Sequence, residues 1–493
     1  MSTFLKNYWS LYYDFIKDFE SLKYNGYSLP YLCHLPRYVL HQNRLLNELE
    51  GADYSKNIKR NINGPKELQA LFNQFVQSHE KKPLTKNQGK TVINMDKLLR
   101  FSPETLSKFD PAKTVILSTM SKKKRKKPKI VSNKATVEPL NGVIVNQAGG
   151  KKPKPTQKTA SNILLPVYPL DKYTSDVKKQ VKIIQQQATK MFVKYNDHHI
   201  YKDQNFQIWF LQAISDVISC IEMVKKFLQE VKVACIIVPS THNYKSRILA
   251  VVASEAGIPT ICMQHGIVSS ELGYIPKIAT VDAVYGNFEK DMFKKMDVPK
   301  NSVEIIGHPR FDQAFKKVSI KTKLDTGKKK SILIALRGAQ DDKLWRQFIT
   351  TIANNKLDLN VFIKNYPSKE PHPLTKEFPF VHSTKKLEIY ELFPQVDAVI
   401  TYSSTVGIEA MLAGKQVFIL LEDFRDYSGY YDKLGNLVVK NPIELGNLVT
   451  DYFNNTETRR LAENQRKKFL DYIYPVQTSS IDRLNNLINR LTK

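Results

Sequence analysis

The stretch from Asp397 to Glu422, DAVITYSSTVGIEAMLAGKQVFILLE, most narrows what this chain can fold into. Ala398–Thr401 is a short apolar run that reads as a buried strand. The polar Tyr402-Ser403-Ser404-Thr405 interrupts it, and Val406, Ile408, Met411 and Leu412 then follow a helical pattern. Gly414 suits the left-handed residue that closes a helix, and Val417–Leu421 opens another strand. Strand, hydroxyl-rich turn, helix, glycine, strand is one βαβ unit, which implies a parallel sheet. The turn gathers three hydroxyls and the unpaired N–H groups of a helix start, a ready anion site. Glu409 stands four residues after Thr405 on the same helix face, where a carboxylate can accept from the ribose hydroxyls of a bound nucleotide. A capped helix with a surface glutamate has the same pattern.

A second unit precedes it. Val233–Val238 (VACIIV) reads as a buried strand, SRILAVVASEAGI as a helix ending at Gly257, and Pro259–Met263 as a strand running into Gln264-His265-Gly266. Ligands of open α/β sheets bind beyond the carboxyl ends of the strands. His265 occupies that place, either as a general base near neutral pH or as a residue bonded within its turn. Val303–Ile306 leads into Gly307-His308-Pro309-Arg310-Phe311-Asp312, where Arg310 can clamp a phosphate and Asp312 can cap the following helix. Ser331–Leu336 leads to Arg337, and Val361–Lys364 ends on a lysine.

Thr114–Ser118, Ile163–Val167, Ala283–Tyr285 and Phe380–His382 read as further strands, and 51–111 as mixed and mostly helical. Ser175–Glu230 reads as two helices divided near 196–205, and 456–492 as amphipathic helix broken at Tyr474-Pro475. The expected fold class is α/β: two Rossmann-like domains facing a cleft, with a helical N-terminal region and a C-terminal helix. The expected divisions are a helical region 1–110, an acceptor domain 111–315, a donor domain 316–475 and a final helix 476–493.

The formal charge over 493 residues is +28. Residues 122–158 hold twelve Lys/Arg against Glu138 alone, so a net +11 sits in one stretch and +17 elsewhere. Residues 121–160 read as a mobile basic insertion with a short strand at Val143–Val145. Its KKKRKK suits nucleic acid, a nuclear-import signal or an anionic membrane equally. Tyr8, Trp9, Leu11, Tyr12, Tyr13, Phe15 and Ile16, interleaved with lysines, suit either a membrane interface or the protein's own core. No apolar run reaches the ~18 residues that span a bilayer, and the start lacks a signal-peptide layout. Cys33, Cys220, Cys235 and Cys262 have neither metal nor disulfide spacing, which points to reduced thiols in a cytosolic protein.

Gln264-His265-Gly266, Gly307-His308-Pro309-Arg310-Phe311-Asp312 and Ser403-Ser404-Thr405-Val406-Gly407-Ile408-Glu409, in that order, resemble the GT-B transferases of bacterial surface-polymer synthesis. The nearest groups are capsule polysaccharide biosynthesis transferases and the CDP-glycerol glycerophosphotransferases of teichoic acid; the likeness covers roughly residues 230–480. The resemblance implies a glycosyltransferase with a nucleotide-activated sugar donor and a glycan or lipid-linked acceptor. Ser403, Ser404 and Thr405 would hold the donor diphosphate and Glu409 its ribose, while Arg337, Lys364 and Arg310 offset phosphate charge. His265 would be the catalytic residue, with Gln264, Gly266, His308 and Asp312 lining the acceptor side or cleft. No metal or other cofactor is required, since a helix dipole and cations can stabilise the leaving diphosphate. The protein would lie in the cytoplasm, at the inner face of the plasma membrane, with an anionic membrane surface as partner.

One departure bears on the choice within the family. Where relatives often carry Lys-x-His-Pro, this chain has Lys364-Asn365-Tyr366-Pro367, which favours sugar transfer over polyol-phosphate transfer. The rival readings are a CDP-glycerol or CDP-ribitol transferase, a UDP-sugar 2-epimerase and a nucleic-acid-binding protein. Against the last stands the lack of a recognition helix, zinc spacing or RNP-type motif.

Overall fold

The computed structural model describes residues 1–77, 88–96, 98–119, 165–316, 324, 329–337, 342–366, 371–384, 387–423, 425–476 and 479–492. The basic insertion 121–160 with its Val143–Val145 strand, and most of the 316–330 linker, lie outside these residues.

The chain opens with helix α1 (Thr3–Asp18) and a hairpin, β1 (Lys23–Tyr24) with β2 (Tyr27–Ser28). The first large sheet contains β3 (Lys90–Met95), β4 (Thr114–Ser118), β5 (Val167–Pro169), β6 (Val233–Val238), β7 (Thr260–Met263), β8 (Val281–Val284) and β9 (Val303–Ile305). The second contains β10 (Lys330–Arg337), β11 (Leu359–Tyr366), β12 (Val381–Ser383), β13 (Ala398–Thr401), β14 (Gln416–Leu420) and β15 (Val438–Val439). Every pairing in both is parallel. The spatial orders are β5-β4-β3-β6-β7-β8-β9 and β12-β11-β10-β13-β14-β15. In each the first, second and third strands run outward from a point beside the fourth, so the order reverses between β3 and β6 and between β10 and β13. Those reversals open the crevices where doubly wound sheets hold ligands. The expected α/β class with two Rossmann-like domains is what the structure shows.

Between strands lie helices α2 (Lys178–Lys194), α3 (Gln204–Glu230), α4 (Tyr244–Glu255), α5 (Asn287–Lys294), α6 (Asp342–Asn354), α7 (Thr405–Leu412) and α8 (Pro442–Asn454), followed by α9 (Thr456–Ile473) and α10 (Ser480–Thr492). By length and composition α3 is apolar enough to cross a membrane. Here Phe210, Ile214, Val217, Ile221 and Val224 of α3 lie in the core.

The 51–111 reading missed β3, which is not peripheral: it pairs with both β4 and β6. The first sheet therefore begins ahead of residue 111. Ile163–Val167 is also displaced, since the strand there is Val167–Pro169 and residues 163 and 164 fall outside the described set. The aromatic run of α1 faces inward: Tyr8, Trp9, Tyr12, Phe15 and Ile16 have no exposed surface. Phe15 packs edge-on to Phe210 of α3 and Trp9 to Phe72, so this face makes core rather than a membrane contact.

The C-terminus returns to the first domain. Ile481, Leu484, Leu487 and Ile488 of α10 share a core with Ile93, Ile237, Ile261 and Val281 of the first sheet. Glycines allow the approach: a Cβ on Gly286 would stand 2.0 Å from the Ile473 carbonyl oxygen, and Gly307 has φ +71° with a Cβ position 2.2 Å from the Tyr474 hydroxyl.

Candidate active site at the domain cleft

The three motifs converge at the carboxyl ends of the two sheets. β13 delivers Tyr402–Thr405, and Ser404 caps α7 by accepting from the Val406 N–H at 3.3 Å. Thr405 Oγ1 accepts from the backbone N–H of Ile267 in the other domain at 3.3 Å. Gly266 lies just beside it, its Cβ position 3.4 Å from that hydroxyl. Ser403 is 5 % exposed, and its Oγ has no partner among the described residues.

Glu409 is not a surface glutamate. It is 2 % exposed and receives an ion pair from Arg310 of the Gly307–Asp312 turn. Its other oxygen accepts from the Tyr390 hydroxyl at 2.6 Å, a partner that sequence reasoning missed. Burial works against the charge of Arg310, but Glu409 outweighs it and the guanidinium pKa is raised. A buried interdomain charge pair with a third hydrogen-bonding group thus joins residues 99 apart in the chain.

His265 follows β7. Its Nδ1 lies 3.0 Å from the Pro239 carbonyl oxygen, which fixes Nδ1 as the protonated nitrogen and makes Nε2 the acceptor. Nε2 has no partner among the described residues. The ring lies parallel to Tyr274, 9° between planes and 5.6 Å between centroids. Burial holds its pKa down to about 4 despite the Pro239 carbonyl, so the imidazole is neutral at pH 7. The Tyr274 hydroxyl in turn donates to the carbonyl oxygens of Gly266, at 2.9 Å, and Ile267, at 3.2 Å, pinning the turn.

Other expected site residues serve the frame. Gln264 donates to Glu289 at 2.6 Å and accepts from the Tyr285 N–H at 2.7 Å, tying β7 to the start of α5. Burial pushes the Glu289 carboxyl up to about 7. His308 is 2 % exposed, ringed by Phe101, Tyr285 and Phe311, and its Nδ1 accepts from the Arg310 N–H. Asp312 caps neither the following helix nor the cleft: it accepts from the Ser480 and Ile481 N–H groups at the start of α10, at 2.9 and 3.2 Å. Lys364 bonds the Leu387 carbonyl oxygen beside the end of β11. Arg337 ends β10, and its side chain lies outside the described residues. A histidine does follow Lys364-Asn365-Tyr366-Pro367 a few residues on: His372, 2 % exposed, has Nε2 3.0 Å from Asp342 at the start of α6.

The cleft is bridged beyond these residues. Ser428 donates through its N–H to the Ser269 carbonyl oxygen at 2.9 Å and through its hydroxyl to that of Val268. Asp426 accepts from Ser270 at 3.1 Å and from Ser2 at 2.8 Å, and Arg425 pairs with Glu50 at 3.1 Å. The loop after β14 is thereby held by the first sheet's His265 turn and by the N-terminal helices. A cavity of about 330 Å³ lies at the opposite, amino ends of β13 and β14, bordered by Asp397, Gln416 and Arg466. It is remote from this constellation. No group of His, Cys, Asp and Glu among the described residues is arranged to hold a metal.

No family model matches the sequence, and no curated protein matches it either. Solved structures do. The glycotransferase of kitacinnamycin is 13% identical, with TM-score 0.43 over 59% of this chain and 84% of that one. A putative UDP-N-acetylglucosamine 2-epimerase from Listeria monocytogenes is 12% identical, with TM-score 0.44 over 56% and 79%. The wall teichoic acid polymerase TagF is 13% identical, with TM-score 0.37 over 54% and 74%.

Proposed function

We propose that this protein is a glycosyltransferase that moves a sugar from a nucleotide donor to a glycan or lipid-linked acceptor in surface or capsular polysaccharide synthesis. The observation that carries the reading is the meeting of the Arg310 turn and the His265 turn with the Ser403–Glu409 helix, from opposite domains, at the carboxyl ends of both sheets. The donor diphosphate would sit at the start of α7, where Ser403 Oγ lacks a partner and helix N–H groups favour an anion. Donor entry would let Arg310 turn from Glu409 to the diphosphate, freeing the carboxylate for the ribose hydroxyls. Lys364 and Arg337 would neutralise the departing nucleotide. In an inverting reaction, His265 Nε2 takes the acceptor hydroxyl proton as that oxygen bonds the anomeric carbon. The bond from that carbon to the diphosphate breaks, and the nucleoside diphosphate leaves with the electron pair.

Thermal denaturation of the full chain with UDP, CDP, GDP, CMP and their sugar or polyol conjugates tests this. One nucleotide sugar is expected to raise the melting temperature, by mass action on the native state. Ser403→Ala, which removes an unpartnered hydroxyl, is expected to weaken that response with little change in the unliganded melting point. A response to CDP-glycerol or CDP-ribitol alone would replace sugar by polyol phosphate. No nucleotide response, with stabilisation by short DNA, would discard the transferase.

The acceptor would be met at an anionic membrane surface on the cytoplasmic side. With the aromatics of α1 buried, support comes from α2. Its outer face carries Lys179, Lys182, Lys190 and Lys194 around Ile183, 45 % exposed, and Val193, 71 % exposed, and α2 contains no acid. Replacing Lys179, Lys182 and Lys190 by Glu is expected to lower partitioning onto anionic vesicles by about 100-fold or more, at ~1 kcal/mol per basic residue. Unchanged co-sedimentation would remove α2 from the contact.

A further inference from the structure

Arg247 of α4 is a guanidinium with no exposed surface and no carboxylate among its contacts. Its Nη1 donates to the Tyr12 hydroxyl at 2.6 Å and the Tyr31 carbonyl oxygen at 2.8 Å, and its Nε to the Thr241 carbonyl oxygen at 3.2 Å. Its Nη2 has no partner among the described residues. The guanidinium also lies over the Tyr31 ring, 5.0 Å from the centroid. A buried charge without a counter-charge costs several kcal/mol, so its retention needs a cause.

The surroundings hold more unpartnered donors than acceptors. The hydroxyl of Tyr31 and, from α1, the hydroxyl of Tyr8 and the indole Nε1 of Trp9 are buried without partners among the described residues. With Arg247 Nη2, these are four groups able to donate; beside them neutral His242, its two ring nitrogens likewise buried without partners among the described residues, offers one acceptor, so donors outnumber acceptors and no negative charge answers the guanidinium. The ring of Trp9 stacks toward Tyr12, 6.0 Å between centroids, and Tyr8 meets Trp9 edge-on at 4.9 Å, so the groups form one cluster around the Arg247–Tyr12 bond. Its position is informative. Arg247 bonds the loop that follows β6, one side of the β3/β6 reversal in the first sheet. The same loop supplies the Pro239 carbonyl that orients His265. His34 and His242, each partly exposed, stand close enough for the Arg247 charge to add to burial in lowering their pKa values, so neither supplies a competing positive charge at neutral pH.

We propose that Arg247, with the hydroxyls of Tyr31 and Tyr8, is an anion site on the acceptor side of the cleft for a phosphate or diphosphate group. A phosphate oxygen accepts several hydrogen bonds at once and supplies the absent negative charge. The assignment to the acceptor rests on the transferase reading; the anion site does not.

The test uses the full chain with inorganic pyrophosphate, and with farnesyl diphosphate as a soluble lipid-borne diphosphate, against chloride at matched ionic strength. A saturable rise in melting temperature is expected in the wild type and in Ser403→Ala. In the Ser403→Ala background Arg247→Met is expected to abolish the remaining response, and Tyr31→Phe, which removes only an unpartnered hydroxyl, to weaken its apparent affinity about tenfold. The tighter of the two ligands names the source of the phosphate. A response lost in Ser403→Ala but kept in Arg247→Met would move the anion to the donor site and overturn the proposal. So would a response kept in every variant, which marks general attraction to a basic surface, or no response, which leaves ordered water as the acceptor. If Arg247→Met does not fold, an undiminished response in Tyr31→Phe overturns it alone. Failure of the nucleotide screen leaves these outcomes readable, so the two readings fall separately.

Discussion

Arg310→Met is expected to lower stability by about 3–5 kcal/mol, because it leaves the Glu409 carboxylate, 3 % exposed, buried without its cation. Tyr390 cannot replace that cation: its hydroxyl gives Glu409 one neutral hydrogen bond. The double variant Arg310→Met/Glu409→Met is expected to recover most of the loss, since apolar residues of similar volume often match a buried ion pair. Denaturant unfolding of the wild type, both single variants and the double variant gives the coupling energy. A loss below about 1 kcal/mol for Arg310→Met, or a double variant no better than the single, would show that water reaches the carboxylate. Arg310 would then be no interdomain tie.

His265→Ala is expected to slow transfer by about 10²–10⁴-fold while the nucleotide-induced melting shift persists, because proton removal is lost and donor binding is not. The pH dependence separates a base from a turn residue. A catalytic base works only when neutral, so the rate should fall as pH drops through its pKa. With that pKa held down to about 4 by burial, the acid limb of kcat/KM should lie near pH 4, and activity should persist at pH 5.5, where an ordinary histidine is mostly protonated. Tyr274→Leu removes the stacked ring and the hydroxyl that pins the turn, and should admit water and move the limb upward. A limb near pH 6.5 in the wild type would mean that water reaches the ring in the free enzyme. An unchanged rate in His265→Ala would remove it from catalysis.

What could be read from the sequence was local and periodic. β6, β13, the hydroxyl-rich turn at the start of α7 and the left-handed Gly414 follow from short patterns completed within a few residues, and the structure repeats them. β3 was lost because KTVINM is a six-residue run in mixed surroundings, and only the parallel neighbours on both sides make it a central strand. The α1 aromatics fit a membrane as well as a core, and the choice depended on Phe72 and Phe210, far along the chain. The partners of Asp312 lie 168 and 169 residues away, beyond any pattern. Tyr274, Tyr390 and Arg247 carried no motif; each acquires its role only from what folding sets beside it.

The docking of α10 against the first sheet has a consequence for how the protein is made. Ile93, Ile237 and Ile261 leave the ribosome before the second domain, and the side chains that share their core, Leu484, Leu487 and Ile488, leave it only after that domain. Until α10 follows, that face of the first sheet lacks its cover, an apolar surface open to chaperones and to other nascent chains. A ribosome that stops in the second domain releases an incomplete first domain rather than a smaller stable protein.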